Sequence, residues 1–382
     1  MDASFAYEEF FKSRKCDIKL LRLCVKCTRL MGMTPYVLKK TPFQRFYLTV
    51  LIFVAILSLT VYVYIGLKTI AFVFNLPDRI LQLVIYTNEF FMINACLFGG
   101  NLLFNQNWNR LFASLYQSEL LVNKCHTRFP FINGLKMLYF KLFIVFATCV
   151  PFHVAQVIFL FGDKNYERAI SYIGWLITDS YGVTIVILLL VMNKILSGRY
   201  QFLSQCLRRV NEKYEEKVAL AEIELVMKMY RISHCVATEI STIFGWHVFF
   251  YLTMNQTFLI HVIEHNIIML THLGESSFDV YTAQNIVYCI SYVISLILLI
   301  MSFESVETSG QEVIKTCYLL HETSRSPLMK FHLLQLAMLG DEWRPSFKAG
   351  FYNVNQSTLS SIFNRNIKYT VVIMQLYFGM NT

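Results

Sequence analysis

Two carboxylates stand inside otherwise apolar stretches: Glu89 in YTNEFFMINACLF and Asp179 in GWLITDSYGVTIV. An ionisable group in such a setting costs several kcal/mol unless it is buried and paired, so each is a candidate for function. The chemistry available around them is recognition. Nearby apolar stretches carry Tyr86, His153, Gln156, Tyr172 and Trp175, and further along Asn255, Gln256, Tyr281, Gln284, Tyr288 and Tyr292. Aromatic faces with a few polar groups are what a small-molecule pocket uses. The competing account places Tyr172 and Tyr281 in an interfacial aromatic belt and lets the amides cross-link helices. Bond-making chemistry is not expected, since a Gly-x-Ser-x-Gly turn is absent and no convergent catalytic set stands out. Cys24-x-x-Cys27 lacks a second pair of ligands and reads as two inert thiols, while His247 and His261 read as interfacial residues at opposite ends of one apolar run. No metal and no cofactor is expected.

The elements that must position these residues are set by composition. Of 382 residues, 55% are hydrophobic and only 15% charged, against about 25% charged in an ordinary soluble domain. A net charge of +9 is distributed between long apolar runs and forms no single stripe, which points to a membrane and away from nucleic acid. A helix needs about 20 mainly apolar residues to cross the bilayer. Runs that meet this are 46–67, 80–104, 137–161, 169–193, 240–263 and 280–303, with a seventh at 356–378 that opens on polar residues. No apolar segment with a small-residue cleavage site opens the chain, so no signal peptide is expected.

Orientation follows from the cations. The segment to residue 45 holds 10 Lys and Arg, and the connections after the second, fourth and sixth spans hold 4, 8 and 5. The opposite side holds 2, 2, 0 and 0, with Lys141, Arg365 and Lys368 inside spans. The positive-inside rule then predicts a cytosolic N-terminus and an extracellular C-terminus. That is the reverse of a rhodopsin-like receptor, and Asp-Arg-Tyr after the third span and Asn-Pro-x-x-Tyr in the last are both missing. The orientation places Glu89 mid-span, Asp179 in the outer-to-middle part of its span, and the polar and aromatic residues named above in the outer halves. The ten cysteines fall on cytosolic segments or in spans, so no disulfide framework is implied. Asn255-Gln-Thr257 and Asn355-Gln-Ser357 match the glycosylation pattern on the wrong side or within a span, and read as chance matches.

No proline or glycine interrupts 199–244, and Leu203, Leu207, Val210, Tyr214, Val218, Ala221, Leu225, Lys228 or Met229, Ile232 and Val236 recur at helical spacing. The fourth and fifth spans should therefore continue as cytosolic helices through 194–239 and turn back near 213–222, with a stripe that packs within or between subunits. Residues 16–31 alternate apolar and basic types as a helix at the inner membrane surface would. The expected organisation is a cytosolic segment 1–45, a six-helix bundle 46–303 that includes those extensions, a cytosolic region 304–355, and a last helix with a short tail, 356–382.

From Phe347 the chain reads FKAGFYNVNQSTLSSIFNRNIKYTVVIMQLYFG. Ala349, Gly350, Phe351, Asn353 and Asn355, followed by Tyr369, the mostly apolar Val371 to Met374 and Gln375, resemble the C-terminal signature of the insect gustatory receptor family. Lys368 stands where Thr is usual and Leu376 where Phe is usual. The resemblance covers the topology of the whole chain and the sequence of its last part. It implies a seven-helix, all-α ligand-gated cation channel that assembles as a tetramer of identical or related subunits, opens on a small-molecule tastant, and needs no G protein. Each subunit would give its last helix to a central pore, with Gln375 and Leu376 at the constriction and Tyr369 bracing the helix. Independently, Arg365, Lys368 or Tyr369, Val372, Gln375 or Leu376, and Gly379 fall along one helical side, and an amide beside an apolar ring can gate by drying and wetting. The alternative is that Gln375 hydrogen-bonds within the bundle. Lys368 on that side must lie near the wide cytosolic mouth or pair with an acid. Sugar-sensing members usually carry Glu after the signature Tyr, where this chain has Thr370, so it is closer to the diverse bitter or unassigned group. An odorant receptor of the same superfamily shares topology and mechanism. A transporter would predict inverted repeats and broken helices, whereas one in-span proline, Pro151, and no repeat are found.

Overall fold

The computed structural model describes residues 16–34, 42–72, 76–124, 140, 166–213, 215–273 and 280–379. Apolar runs too long for strands become helices, and the breaks fall where apolar periodicity stops. The helices are α1 (Cys16–Leu30), α2 (Pro42–Phe72), α3 (Leu76–Asn94), α4 (Asn105–Lys124), α5 (Tyr166–Lys213), α6 (Glu216–Leu273), α7 (Val280–Thr323), α8 (Pro327–Glu342) and α9 (Gln356–Gly379). α3 runs on as a π-helical stretch over Ala95–Leu103. A two-residue hairpin, β1 (Lys348–Ala349) and β2 (Tyr352–Asn353), precedes α9, pairing Lys348 with Asn353 and Ala349 with Tyr352.

The expected spans fall inside α2, α3 with its π-helical end, α5, α6, α7 and α9; the third, 137–161, lies outside the described residues apart from Phe140. Among the described residues, parts of α3, α5, α6 and α7 are long and apolar enough to cross a membrane. At 1.5 Å per residue, the 48, 58 and 44 residues of α5, α6 and α7 are far longer than a bilayer needs. α5 and α6 continue beyond it as the uninterrupted sequence predicts, α7 does so as well, and α5 ends at Lys213 while α6 starts at Glu216.

α5 and α7 pack along a seam of small polar residues. Ser197 Oγ lies 2.8 Å from Ser309 Oγ, and Asn193 Nδ2 donates to Ser302 Oγ at 2.9 Å. Small hydroxyl residues let two helices approach closely and satisfy each other away from water. The predicted stripe is correct on α5, where Leu203, Leu207 and Val210 are buried, and out of phase at the start of α6. Val218 is 44% exposed and Ala221 is exposed, while Ala219, Ile223, Val226, Tyr230 and Ala237 face the core. One helix ends at Lys213 and the next starts at Glu216, so the helical phase does not carry from one to the other. Further along, Met229 and Val236 are buried as expected.

α1 does more than rest on a surface. Leu21 and Val25 are buried, and Tyr181 Oη, inside the expected fourth span, donates to the Met31 carbonyl at 2.6 Å. The helix leans into the bundle with one face and leaves Leu23, Cys27 and Leu30 outside. Burial, with Cys27 nearby, pushes the Cys24 thiol up to about 11, which favours its protonated form.

Candidate functional site

The expected recognition residues converge in part. Asp179 on α5 and Glu89 on α3 are both buried, at 4% and 1% exposure. From α7, Tyr288 and Tyr292 stand one turn apart, both buried, with their hydroxyls hydrogen-bonded to each other. The Tyr292 and Tyr288 oxygens lie 3.1 and 3.4 Å from Asp179 Oδ1. Each phenol has one proton, so a consistent arrangement is a chain in which Tyr288 donates to Tyr292 and Tyr292 donates to the carboxylate. Glu89 lies within electrostatic reach of both tyrosines.

α6 closes this group with rings. Phe258 meets Tyr288 edge-on at 4.6 Å and stacks on Tyr292 at 5.6 Å, and Tyr251 stacks on Tyr292 at 6.3 Å. Asn255 sits between Tyr251 and Phe258 at helical spacing, buried, its Nδ2 donating to the Tyr251 carbonyl at 2.7 Å. Its Oδ1 is buried without a hydrogen-bond partner among the described residues. Tyr251 and Phe258 were not singled out from sequence; their spacing from Asn255 by four and three residues was the available signal.

The remaining expected residues do not all join. Tyr86 turns to α2, its ring filling the space over Gly66. Gln256 is half-buried beside Asn255. Trp175 lies on α5 and Gln284 on α7, as do Tyr172 and Tyr281 respectively, with their side chains outside the described set; His153 and Gln156 lie outside the described residues altogether. His247, expected at an interface, is buried against the π-helical turn at Ala95. The sequence reading overlooks one spacing: His261 and His265 stand one turn apart on α6 with Glu264 between them. Among the described residues no group of three or more His, Cys, Asp or Glu is placed to hold a metal.

A second constellation forms at the foot of α9, from the signature residues. Gly350 adopts φ +56°, and a Cβ there would lie 3.0 Å from the Phe249 ring. Ala349 is fully buried. Ser241 of α6 grips the hairpin, its Oγ donating to the Lys348 carbonyl at 3.3 Å and accepting from the Lys348 amide at 3.0 Å. A Cβ on Gly245, one turn on, would lie 2.7 Å from that same carbonyl, so the close approach requires glycine. Phe347 stacks on Phe303 of α7 at 3.9 Å.

Asn355 caps α9: its Oδ1 accepts from the Thr358 amide at 3.3 Å, and Thr358 Oγ1 accepts from the Asn355 amide at 3.2 Å. Thr358 Oγ1 also donates to the Asn353 carbonyl at 2.9 Å. This reciprocal arrangement satisfies amides that a helix start leaves open. Glu304 of α7 accepts from the Gln356 amide at 3.2 Å, placing a carboxylate at the positive end of the helix. Burial pushes the neighbouring Tyr352 hydroxyl up to about 12, with Arg365 opposing.

Beyond this foot, α9 is poorly covered. Ile362 and Asn366 face the bundle, while Lys368, Tyr369, Val372 and Gln375 are exposed, Tyr369 at 52% and Val372 at 50%. The Leu376 side chain lies outside the described set.

Comparison with known proteins agrees with this architecture. The insect olfactory receptor OR5 of Machilis hrabei in complex with eugenol superposes with a TM-score of 0.72 at 11% identity, covering 96% of this chain and all of that one. A second structure of that receptor gives 0.68 at 11% identity, over 94% and 97% of the two chains. At this identity the likeness shows the fold. A search of the curated proteins gives no match. The profile of the 7tm chemosensory receptor family matches residues 21–378. A multi-pass, all-α membrane protein with this fold and a match over nearly its whole length, the chain belongs to the 7tm chemosensory receptor family.

Proposed function

We propose that the chain is a gustatory receptor subunit that forms a tetrameric, ligand-gated, non-selective cation channel, with ligand bound in the outer part of the first six spans and the gate on α9. The observation that carries this reading is the state of α9. In a single subunit it is an apolar helix with Tyr369, Val371, Val372 and Met374 exposed, held at its foot by Ser241, Glu304 and the Asn355 cap. A helix fixed at one end and uncovered along its length needs neighbours, and four copies around an axis would supply them. The predicted pore side, Lys368, Tyr369, Val372 and Gln375, lies on the uncovered part. The exposed Val218 and Ala221 on the cytosolic part of α6 offer a further contact between subunits.

Coupling in this reading runs along α7, a single helix that carries Tyr288 and Tyr292 toward one end and Glu304 at the foot of α9. Tyr292 and Glu304 are twelve residues apart, about 18 Å of helical rise. A ligand that shifts the tyrosines moves the same rigid element that holds the pore helix.

An odorant receptor of the same family is the second reading, favoured by the likeness to an olfactory receptor that binds eugenol. Calcium imaging of cells expressing the full chain against tastant and odorant panels separates the two. Gln375→Ala should then change ion selectivity or conductance with little change in agonist sensitivity; unaltered ion dependence would remove Gln375 from the pore.

A further inference from the structure

Resting on the small-molecule receptor reading, we propose that the site between α3, α5, α6 and α7 takes a protonated or quaternary amine, seated against Asp179 and Glu89 with its cationic head among the rings of Tyr251, Phe258 and Tyr292. The argument is one of chemical complement. Asp179, hydrogen-bonded by Tyr292, and Glu89, within electrostatic reach of Tyr288 and Tyr292, bring two carboxylates to this group, buried at 4% and 1% exposure. Asn255, buried between Tyr251 and Phe258 on the same helical face, adds an acceptor oxygen with no hydrogen-bond partner among the described residues. The hydroxyls of Tyr288 and Tyr292 already bond to each other and to Asp179, so their donor capacity is in use.

What the site presents is therefore acceptors and π faces. Carboxylates and an open amide oxygen favour N–H donors and positive charge, and ring faces within reach of a cation add attraction that grows when water is excluded. A neutral polyol would bring both donors and acceptors and would use the rings poorly. An anion would meet two buried carboxylates.

The test uses the purified full chain in detergent and the same chain in cells. Thermal unfolding and agonist-evoked current are measured with two charge-differing pairs, phenethylamine against phenethyl alcohol and tryptamine against tryptophol, and with trimethylphenethylammonium. The amines should stabilise the protein at concentrations at least about tenfold below their alcohols, as a desolvated cation–ring and ion-pair contact implies. Glu89→Gln and Asp179→Asn should each weaken amine binding by about tenfold or more while leaving alcohol binding within about threefold. If Asp179→Asn fails to fold, Glu89→Gln decides alone. Alcohols matching amines, absence of stabilisation by every amine, or a Glu89→Gln protein with unchanged amine binding would overturn the assignment. Amine-specific stabilisation without current would defeat the channel reading and leave this one standing; current evoked equally by alcohols would do the reverse.

Discussion

At the level of single residues, the foot of α9 shows why a short signature has the composition it has. Gly350 sits at φ +56°, where a β-carbon is penalised, and the Phe249 ring occupies the space that carbon would enter. Gly350→Ala should cost about 1–2 kcal/mol, read as a lower melting temperature of the solubilised protein. Asn355→Ala removes the acceptor for the Thr358 amide and should cost about 1 kcal/mol; if the foot transmits gating, it should also raise the half-maximal agonist concentration. A variant with wild-type melting behaviour at both positions would mean that the hairpin does not hold the helix. Asp179, Tyr288 and Tyr292 were legible as candidates because an acid or a hydroxyl in an apolar run stands out. Their meeting was not legible, since it depends on the relative height of two helices more than a hundred residues apart. Tyr251 and Phe258 were hidden by abundance in a chain that is 15% aromatic, and Glu304 by being one more acid on a cytosolic helix.

At the level of elements, six of the seven expected spans coincide with long helices because apolar length alone specifies a crossing. The helical extensions were equally readable, as nothing in 199–244 breaks a helix. The phase of α6 was not. A stripe followed continuously from Leu203 to Val236 assumes one helix, whereas one helix ends at Lys213 and another starts at Glu216. This yields a paired expectation. Ile223 is fully buried, so Ile223→Asp places a charge in the core and should prevent recovery of a monodisperse protein. Val218→Asp changes a residue that is 44% exposed and should leave the subunit folded. If α6 meets a neighbouring subunit there, size-exclusion profiles of Val218→Asp will move toward smaller species. An unchanged profile would assign the assembly contact elsewhere. Gly245→Ala belongs to the same scale, since its methyl must displace the backbone of β1 from α6, and it should lower the melting temperature without altering the helices themselves.

At the level of the whole molecule, orientation is the property on which the receptor-channel reading turns, and it comes from charge. Lys and Arg crowd the N-terminal segment and the connections after the second, fourth and sixth spans. Moving those loops across a membrane would carry cations against the positive-inside bias, while the opposite loops hold almost none. Seven crossings, as expected from the sequence, would then leave the C-terminus outside, and the polar foot of α9, with Lys348, Glu304 and the Asn355 cap, inside. In the proposed pore that arrangement would also suit Lys368, three turns from the start of α9, by setting it toward the cytosolic mouth, where water can solvate an ammonium. The expected outcome is concrete: an epitope at the C-terminus should bind antibody on intact cells, and one at the N-terminus only after permeabilisation. A C-terminal epitope detected only after permeabilisation would invert α9, put its polar foot outside, and leave the basic loops facing the wrong compartment. No rearrangement of the site residues could then rescue the pocket and pore assignments, because both are defined by which half of each helix faces out.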